Sequence, residues 1–312
     1  MAAARPGPTR HLSGRPSGLT TLFKAALPAI PGVNQLPGIR KSSPEAFVGL
    51  SYARSGVAVT RHDVDAYAAV CGFPRKDTVP LPYPHLLAFP LHMAIMSDAT
   101  FPYPAIGLVH LENTITAHRA IHVGEVLDVT TAVAAPRTHP RGALLDFATT
   151  VTSSDDVVWE STSTYLRRGA APDGEPDAGL SIDDPPSGGI QWRLPGDLGR
   201  TYAGVSGDHN PIHLYPLTAK ALGFQRQIAH GMWTLARSVA AIENRLPDAV
   251  SVEVAFKKPV FLPGRVAFAD RADGGVHTFS LTNPDDGSPH LVGRAVPAQR
   301  RLSRAAGRTR RS

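Results

Sequence analysis

The chain has 312 residues, which is room for two domains of ordinary size or for one large domain. Its composition, 42% hydrophobic and 19% charged, is typical of a water-soluble globular protein. No uninterrupted apolar run approaches the roughly 18 residues that suggest a membrane-spanning helix. The single cysteine, Cys71, cannot form an internal disulfide, so we expect a reducing, cytoplasmic location.

The net charge of +6 reflects the two ends of the chain rather than a binding surface. Residues 1–44 contain no acidic residue, and residues 300–312 contain six arginines. Basic ends rich in Pro, Gly and Ser are more often flexible than functional. We therefore predict a flexible leader at 1–45, a short helix within it at Leu19–Leu27, and a flexible tail at 299–312. A mitochondrial transit peptide is the alternative for the leader, but its prolines would interrupt an amphipathic helix.

Residues 46–168 are predicted to form a first domain that ends in a series of strands. The strand segments are rich in Val, Thr, Ile and aromatic residues, and polar and apolar side chains alternate in places. A polar connector rich in Pro and Gly follows at residues 169–189. The predicted strands are Leu108–Ile115, Val126–Val133, Leu144–Val151 and Val157–Tyr165.

Residues 190–298 are predicted to form a second domain, built around a long helix. Apolar residues recur at helical spacing from about Gly231 to Leu246, and Pro247 ends the pattern. Gly- and Asp-containing turns separate the strands that follow the helix. These strands are predicted at Val250–Phe256, Arg265–Asp270, Val276–Leu281 and His290–Val296.

A faint internal repeat relates the two predicted domains. The segments ending at Gly72 and Gly207 share a tyrosine, a valine and a glycine at the same spacing, so that Tyr67 corresponds to Tyr202. Each copy is predicted to run from a short helix through a loop to a central helix and then to antiparallel strands. The sequence therefore predicts an α+β fold in which each of two curved sheets wraps a helix, as a pseudo-dimer within one chain.

The copies differ in the loop that follows the shared glycine. The second copy reads Gly207-Asp-His-Asn-Pro-Ile-His213, whereas the first reads Gly72-Phe-Pro-Arg-Lys-Asp-Thr. Asp208 and His213 lie five residues apart across a predicted loop-to-helix junction. An acid and a base on so short a tether can reach one substrate bond or one water, as proton transfer requires. The alternative is that Asp208 or Asn210 merely caps the helix.

The wider segment resembles the family of (R)-specific enoyl-CoA hydratases and MaoC-like dehydratases, which has the hot-dog fold. The resemblance rests on the Asp-x-Asn-Pro-x-His motif, on Ile228-Ala-His-Gly-Met232 and on the Lys257–Gly264 strand and turn. Within the family, the chain is most similar to two-domain 3-hydroxyacyl-thioester dehydratases of actinobacteria. Part of that likeness lies earlier, at Val79-Pro-Leu-Pro-Tyr-Pro84. The resemblance implies a double hot-dog fold.

The same resemblance implies a hydro-lyase that interconverts (R)-3-hydroxyacyl and trans-2-enoyl thioesters. Asp208 and His213 would transfer the protons, and the backbone N–H of Gly231 would stabilise the thioester oxygen. Asn210 and Ser206 would support the loop. The substrate would be a thioester of coenzyme A or of an acyl-carrier protein. The first half would supply packing and part of the acyl-binding wall, and the pseudo-dimer is compatible with further homodimerisation.

Two other functions are weighed against this interpretation. A hot-dog acyl thioesterase would need a carboxylate on or beside the central helix, where only Glu243 occurs, near the far end. A non-catalytic acyl-binding subunit would not need Asp208 and His213. We expect no cofactor and no metal, because no phosphate-binding Gly-rich loop and no set of Cys and His ligands at metal-binding spacing is evident. We also expect no nucleic-acid partner.

Overall fold

The computed structural model of the chain describes residues 9–12, 47–177 and 179–298. The helix predicted at Leu19–Leu27 lies outside the described residues, as do most of the leader and the tail. We use first half for the predicted domain 46–168 and second half for 190–298.

The first half contains two helices and all four strands that the sequence predicts there. The helices are α1 (Arg61–Cys71) and α2 (Pro84–Ser97). One short strand, β1 (Arg10–His11), precedes the first half. The strands of the first half are β2 (Ser51–Ala58), β3 (Leu108–Ala117), β4 (Val126–Val133), β5 (Arg137–His139), β6 (Gly142–Ser153) and β7 (Asp156–Arg168).

The second half has more helical segments, which surround the predicted motif. Its helices are α3 (Leu198–Ser206), α4 (Pro211–Leu214), α5 (Pro216–Ala221) and α6 (Gly231–Ile242), and a 3₁₀ turn follows at Glu243–Arg245. Its strands are β8 (Ile190–Leu194), β9 (Val250–Phe256), β10 (Gly264–Asp273), β11 (Val276–Thr282) and β12 (Pro289–Pro297).

The described strands form one continuous sheet of 12 strands. The order is β1-β2-β4-β6-β7-β3-β9-β12-β11-β10-β8, with β5 paired to β6 off this path. All pairs are antiparallel except β1 with β2. The halves join where β3 pairs with β9, so that Glu112 lies opposite Ala255. A single ladder of backbone hydrogen bonds therefore connects the two halves.

Each half wraps its part of the sheet around one helix. Helix α2 packs on β2, β4 and β6, and helix α6 packs on β11. Helix α6 buries Trp233, Leu235 and Val239 in the core. Helix α1 of the first half packs against both α3 and α6 of the second, and the indole N–H of Trp233 donates to the Val70 carbonyl at 3.1 Å. The two halves thus share one apolar core.

The internal repeat is confirmed at the ends of α1 and α3. Gly72 follows α1 with a φ of 79°, and Gly207 follows α3 with a φ of 75°. Each glycine donates its N–H to a carbonyl four residues earlier, which is the left-handed helix ending that glycine favours. The predicted counterparts Tyr67 and Tyr202 meet in the core, with ring centroids 6.4 Å apart.

The connector forms no helix or strand in residues 169–177 and 179–189, but it is tied to both halves. Asp177 pairs with Arg137 of β5. The carbonyl of Leu180 accepts a bond from Lys257 at 2.9 Å, and Asp184 pairs with Arg271 of β10 at 3.1 Å. These contacts fasten the connector along the sheet. The exact domain boundaries stay a prediction.

All eight predicted strands are present, but four further strands among the described residues, β1, β2, β5 and β8, were not predicted. Strand β2 contains Gly56 and few β-branched residues, so its sequence is a weak strand signal, and pairing with β4 forms it. Strand β8 is short and pairs only with β10 at the edge of the sheet. The central helix ends at Ile242 rather than at the predicted Leu246, because the chain tightens into the 3₁₀ turn.

The close contact at Gly293 predicts a matched pair of stability changes. A Cβ added at Gly293 would meet the Phe279 ring at 2.6 Å and Val254 at 2.7 Å. Because overpacking strains a filled core, Gly293→Ala should lower the free energy of unfolding by about 1–3 kcal/mol in urea titrations. Helical Gly204 has open space around its Cβ position, so Gly204→Ala should not destabilise. Equal effects of the two changes would contradict this packing.

Candidate active site

The predicted motif lies in the loop between α3 and α4, where local hydrogen bonds fix its shape. The left-handed Gly207 ends α3 and turns the chain at Asp208. The Asp208 N–H donates to the Ser206 hydroxyl at 3.2 Å. Asn210 caps α4, because its side-chain oxygen accepts from the Ile212 N–H at 3.4 Å, and Pro211 is the first helical residue. Asn210 and Ser206 therefore shape the loop.

His213 is buried, and its hydrogen bond identifies its neutral form. Its Nδ1 lies 2.8 Å from the carbonyl oxygen of Ile228. Because a carbonyl can only accept, Nδ1 carries the proton, and Nε2 keeps a free lone pair in the neutral ring. Burial lowers the pKa of His213, although the Asp208 carboxylate and the Ile228 carbonyl act in the opposite direction. The ring is therefore a neutral base at neutral pH.

Asp208 lies beside this base and is partly open to solvent. One carboxylate oxygen accepts the backbone N–H of Asn210 at 3.1 Å, and the side chain is 26% exposed. A carboxylate oxygen of Asp208 and a ring nitrogen each of His213 and His230 lie within 4.8 Å of one another. This spacing leaves room for one water or one substrate hydroxyl to bond both Asp208 and His213. The two predicted residues are thus brought together as a proton-transfer pair.

His230 contacts both members of this pair. Its Nε2–H donates to the backbone carbonyl of Asp208 at 3.0 Å. Its ring stacks on that of His213, with centroids 3.7 Å apart, and lies 4.9 Å from the ring of Tyr202. The only sequence signal was its place next to Gly231. His230 positions the loop from one side and the base from the other.

No metal-ligand spacing was evident in the sequence, but three ionisable residues of the site come together in the structure. Asp208, His213 and His230 are close enough to resemble a metal-ligand set. However, the two imidazole planes are inclined by only 26°, and each ring gives one nitrogen to a backbone carbonyl. Near-parallel rings do not converge their lone pairs on one ion, as tetrahedral coordination requires. The arrangement suits proton transfer better than metal binding.

Gly231 is the first residue of α6, and the backbone around it is open to a ligand. The first N–H groups of a helix have no partner within it, and the helix dipole places positive charge there. A Cβ at this position would lie 3.2 Å from the ring of Phe256, so only glycine leaves this approach free. An oxygen developing negative charge would be stabilised here.

The first half borders the site through helix α2. A cavity of about 260 Å³ lies between this helix and the end of α3. Its walls include Leu86, Phe89 and Met93 from α2, and Ser206 and Gly207 from the segment before Asp208. The cavity thus lies beside the segment that leads into Asp208.

Comparison with known proteins places these features in one family. A model described as the MaoC like domain matches residues 182–276. The 3-hydroxyacyl-thioester dehydratase X of Mycobacterium tuberculosis is 38% identical over 285 residues, which cover 89% of this chain and 97% of that protein. The (R)-specific enoyl-CoA hydratase of Aeromonas caviae is 35% identical over 69 residues, which cover 21% of this chain and 52% of that protein.

Solved structures agree with this assignment. The crystal structure of HtdX from Mycobacterium tuberculosis superposes with a TM-score of 0.70 at 36% identity, covering 79% of this chain and 99% of that one. A MaoC-like dehydratase from Phytophthora capsici shares the fold at 20% identity, with a TM-score of 0.67, covering 83% of this chain and 99% of that one.

The fold is the predicted double hot dog, of the α+β class. The chain belongs to the MaoC-like dehydratase family. Within that family it is similar, over 89% of its length, to the 3-hydroxyacyl-thioester dehydratase named above.

The hydrogen bond from His213 to Ile228 predicts a distinctive magnetic resonance signature. At neutral pH the ¹⁵N spectrum should show His213 neutral, with Nδ1 protonated and Nε2 bare. Because burial lowers its pKa, the ring should gain its second proton only below pH 6.5. Loss of the signal in His213→Gln would assign it. A neutral ring protonated at Nε2 would contradict the tautomer that this hydrogen bond requires.

Proposed function

We propose that this chain reversibly dehydrates (R)-3-hydroxyacyl thioesters to trans-2-enoyl thioesters. The observation that carries the proposal is a neutral His213, held through its Nδ1–H, with a ring nitrogen within 4.8 Å of a carboxylate oxygen of Asp208. The reaction moves a hydroxyl at C3 and a proton at C2. A base and an acid on one side of that bond are what it requires. The relatives named as dehydratase and hydratase support the same chemistry.

In the hydration direction, a water bonded to both side chains attacks C3. His213 takes one proton of this water through Nε2, and Asp208 accepts a hydrogen bond from the other. The thioester oxygen becomes enolate-like, and the N–H of Gly231 donates to it. The pair then transfers the proton that it took from water to C2, and Asp208 is the residue that exchanges the proton with C2. The residues end in their starting protonation states, and dehydration runs the same steps backwards.

One active site per chain is proposed, in the second half. After the glycine that ends α1, the first half has Phe73 and Pro74, which cannot replace Asp208 and its neighbours. The cavity beside α2 is proposed to hold the acyl chain, with the domains divided as 46–168 and 190–298. The thioester is carried by coenzyme A or an acyl-carrier protein.

A cytoplasmic location is part of the proposal and is supported by Cys71, which is a buried free thiol. Among the described residues, no helix combines the length and apolar character needed to cross a membrane.

The thioesterase alternative finds no support in the position of Glu243. This carboxylate follows α6, at the end opposite Gly231, and pairs with Lys76 at 3.0 Å. It is therefore engaged in a contact between the halves and lies away from the site.

Replacing the acid tests the reaction directly. Asp208→Asn is nearly isosteric but cannot exchange a proton, so kcat for hydration of a trans-2-enoyl-CoA should fall by about 10²–10⁴-fold. Loss of the conjugated thioester absorbance gives the rate, and chiral analysis should show the (R)-3-hydroxy product. Asp197→Asn, at an exposed position before α3, is the matched control and should retain activity. Release of free coenzyme A without hydration would point to the thioesterase instead.

The pH dependence follows from the neutral state of His213. Because burial lowers its pKa, the base stays uncharged until the pH falls below 6.5. The kcat/KM for hydration should therefore be level near neutrality and decline on the acid side only below that value. An acid limb centred above pH 6.5 would be inconsistent with His213 as the base.

The role of the Gly231 N–H can be isolated with two substitutions. Gly231→Ala and Gly231→Pro both add a Cβ toward Phe256, but only proline removes the N–H. Proline is tolerated at the first helical residue, and His230 before it already has the extended backbone that proline requires. If this N–H stabilises the thioester oxygen, Gly231→Pro should have a kcat about 10²–10³-fold below that of Gly231→Ala. Equal activities would exclude that role.

A further inference from the structure

A group of contacting rings in the first half, three of them buried and one partly exposed, has no part in the proton steps above. We call it the histidine cluster; it consists of His85, His92, His110 and Tyr165, from α2, β3 and β7. The ring centroids of His110 and Tyr165 are 4.7 Å apart, and those of His85 and His92 are 5.4 Å apart. His85 and His110 also stack at 6.3 Å. The four side chains form one contiguous unit.

Two members of the cluster are held by hydrogen bonds within the protein. His92 contacts the Tyr165 hydroxyl at 3.3 Å through Nδ1, and the Thr149 hydroxyl at 3.2 Å through Nε2. Thr149 in turn bonds Thr131 at 2.8 Å. Both ring nitrogens of His92 are satisfied, so this part of the cluster is structural.

The other two histidines are less fully bonded. His110 has hydrogen bonds with Glu112 and Asn113, but its Nε2 atom is buried and has no hydrogen-bond partner among the described residues. His85 is only 5% exposed, and no hydrogen bond to its ring is found among the described residues. An unpaired buried polar group costs about 1–3 kcal/mol, so the Nε2 of His110 requires an explanation.

Both rings lie near the candidate site. The charge of Asp208 acts on His85 and on His110. The His110 ring lies 5.0 Å from that of Phe256, which is the ring beside Gly231. His85 is the second residue of α2, in the turn that also contributes to the cavity wall. His85 thus lies on the helix that borders the cavity, and His110 lies beside the ring that neighbours Gly231.

The protonation state of these rings limits what they can bind. Burial lowers the pKa of His85 to about 4 and that of His110 to about 3, although Asp208 opposes both shifts. Each ring is therefore neutral near pH 7, and a neutral imidazole has one N–H donor and one lone pair. Such a pair of rings suits an uncharged hydroxyl or carbonyl group. A chain of methylene groups would leave the Nε2 of His110 unpaired.

We propose that His85 and His110 form a polar subsite that binds an oxygen-bearing substituent of the acyl chain, a few carbons beyond C3. This inference rests on the proposed function and deepens it. The preferred substrates are enoyl and 3-hydroxyacyl thioesters with a further hydroxyl or keto group, rather than plain alkyl chains. His85 and His110 act as specificity residues and take no part in the proton steps.

The test compares substrates that differ in one hydroxyl group. The kcat/KM of the unmodified enzyme is measured with trans-2-octenoyl-CoA and with analogues that carry a hydroxyl at C4, C5 or C6. One hydroxylated analogue should react with a kcat/KM at least about tenfold higher, which is the effect of a single buried hydrogen bond.

Matched variants test whether His85 and His110 cause that preference for a hydroxylated chain. His85→Leu and His110→Phe remove the polar atoms and should bring the ratio of kcat/KM values close to one. His85→Asn and His110→Gln keep a polar atom near the imidazole nitrogens and should restore part of the preference. His122→Leu removes an exposed imidazole that does not line the cavity and should leave the ratio unchanged.

The outcomes separate the inference from the proposed function. Hydration of plain and hydroxylated chains with equal kcat/KM by the unmodified enzyme would overturn the inference alone, whether or not the variants fold. A preference that persists in both His85→Leu and His110→Phe would overturn it too. Failure to hydrate any of these thioesters would overturn the proposed function and the inference with it.

Discussion

The active-site geometry depends on the backbone of Ile228, which is bonded in both directions to helix α4. Its N–H donates to the Ile212 carbonyl at 3.0 Å, and its carbonyl accepts from the His213 ring at 2.8 Å. This double contact fixes the tautomer of the base. It also holds the base beside the start of α6, which lies three residues after Ile228. Without it, neither the direction of the His213 lone pair nor its distance from Gly231 would be determined.

The site also shows how burial sets the chemistry of its histidines. His213 and His230 are removed from water and stacked, so charging either ring would cost desolvation energy. Both rings stay neutral, and a hydrogen bond to a backbone carbonyl determines which nitrogen of each carries the proton. The partly exposed Asp208 is the adjacent acidic group. Asp208 and His213 thus lie side by side in different environments, one partly exposed and the other buried.

The two halves have diverged in the loop that follows a common helix ending. Gly72 and Gly207 end α1 and α3 in the same left-handed conformation. After it, the second half continues with Asp208, whereas the first continues with Phe73, which packs in the core. The first half nevertheless keeps polar rings near the site, in the histidine cluster. Its contribution is therefore more than an apolar wall.

The sequence by itself determined the α+β class, the internal repeat, the order of most strands and the Asp208–His213 pair, because these depend on local periodicity and short spacing. Strand β2 depends on pairing with β4, and the position of His230 over His213 joins residues 17 apart in the sequence. The approach of His85 and His110 to Asp208 joins the two halves. Only the tertiary structure decided these features, because nothing in the local sequence specifies which distant side chains the sheet and its helices bring together.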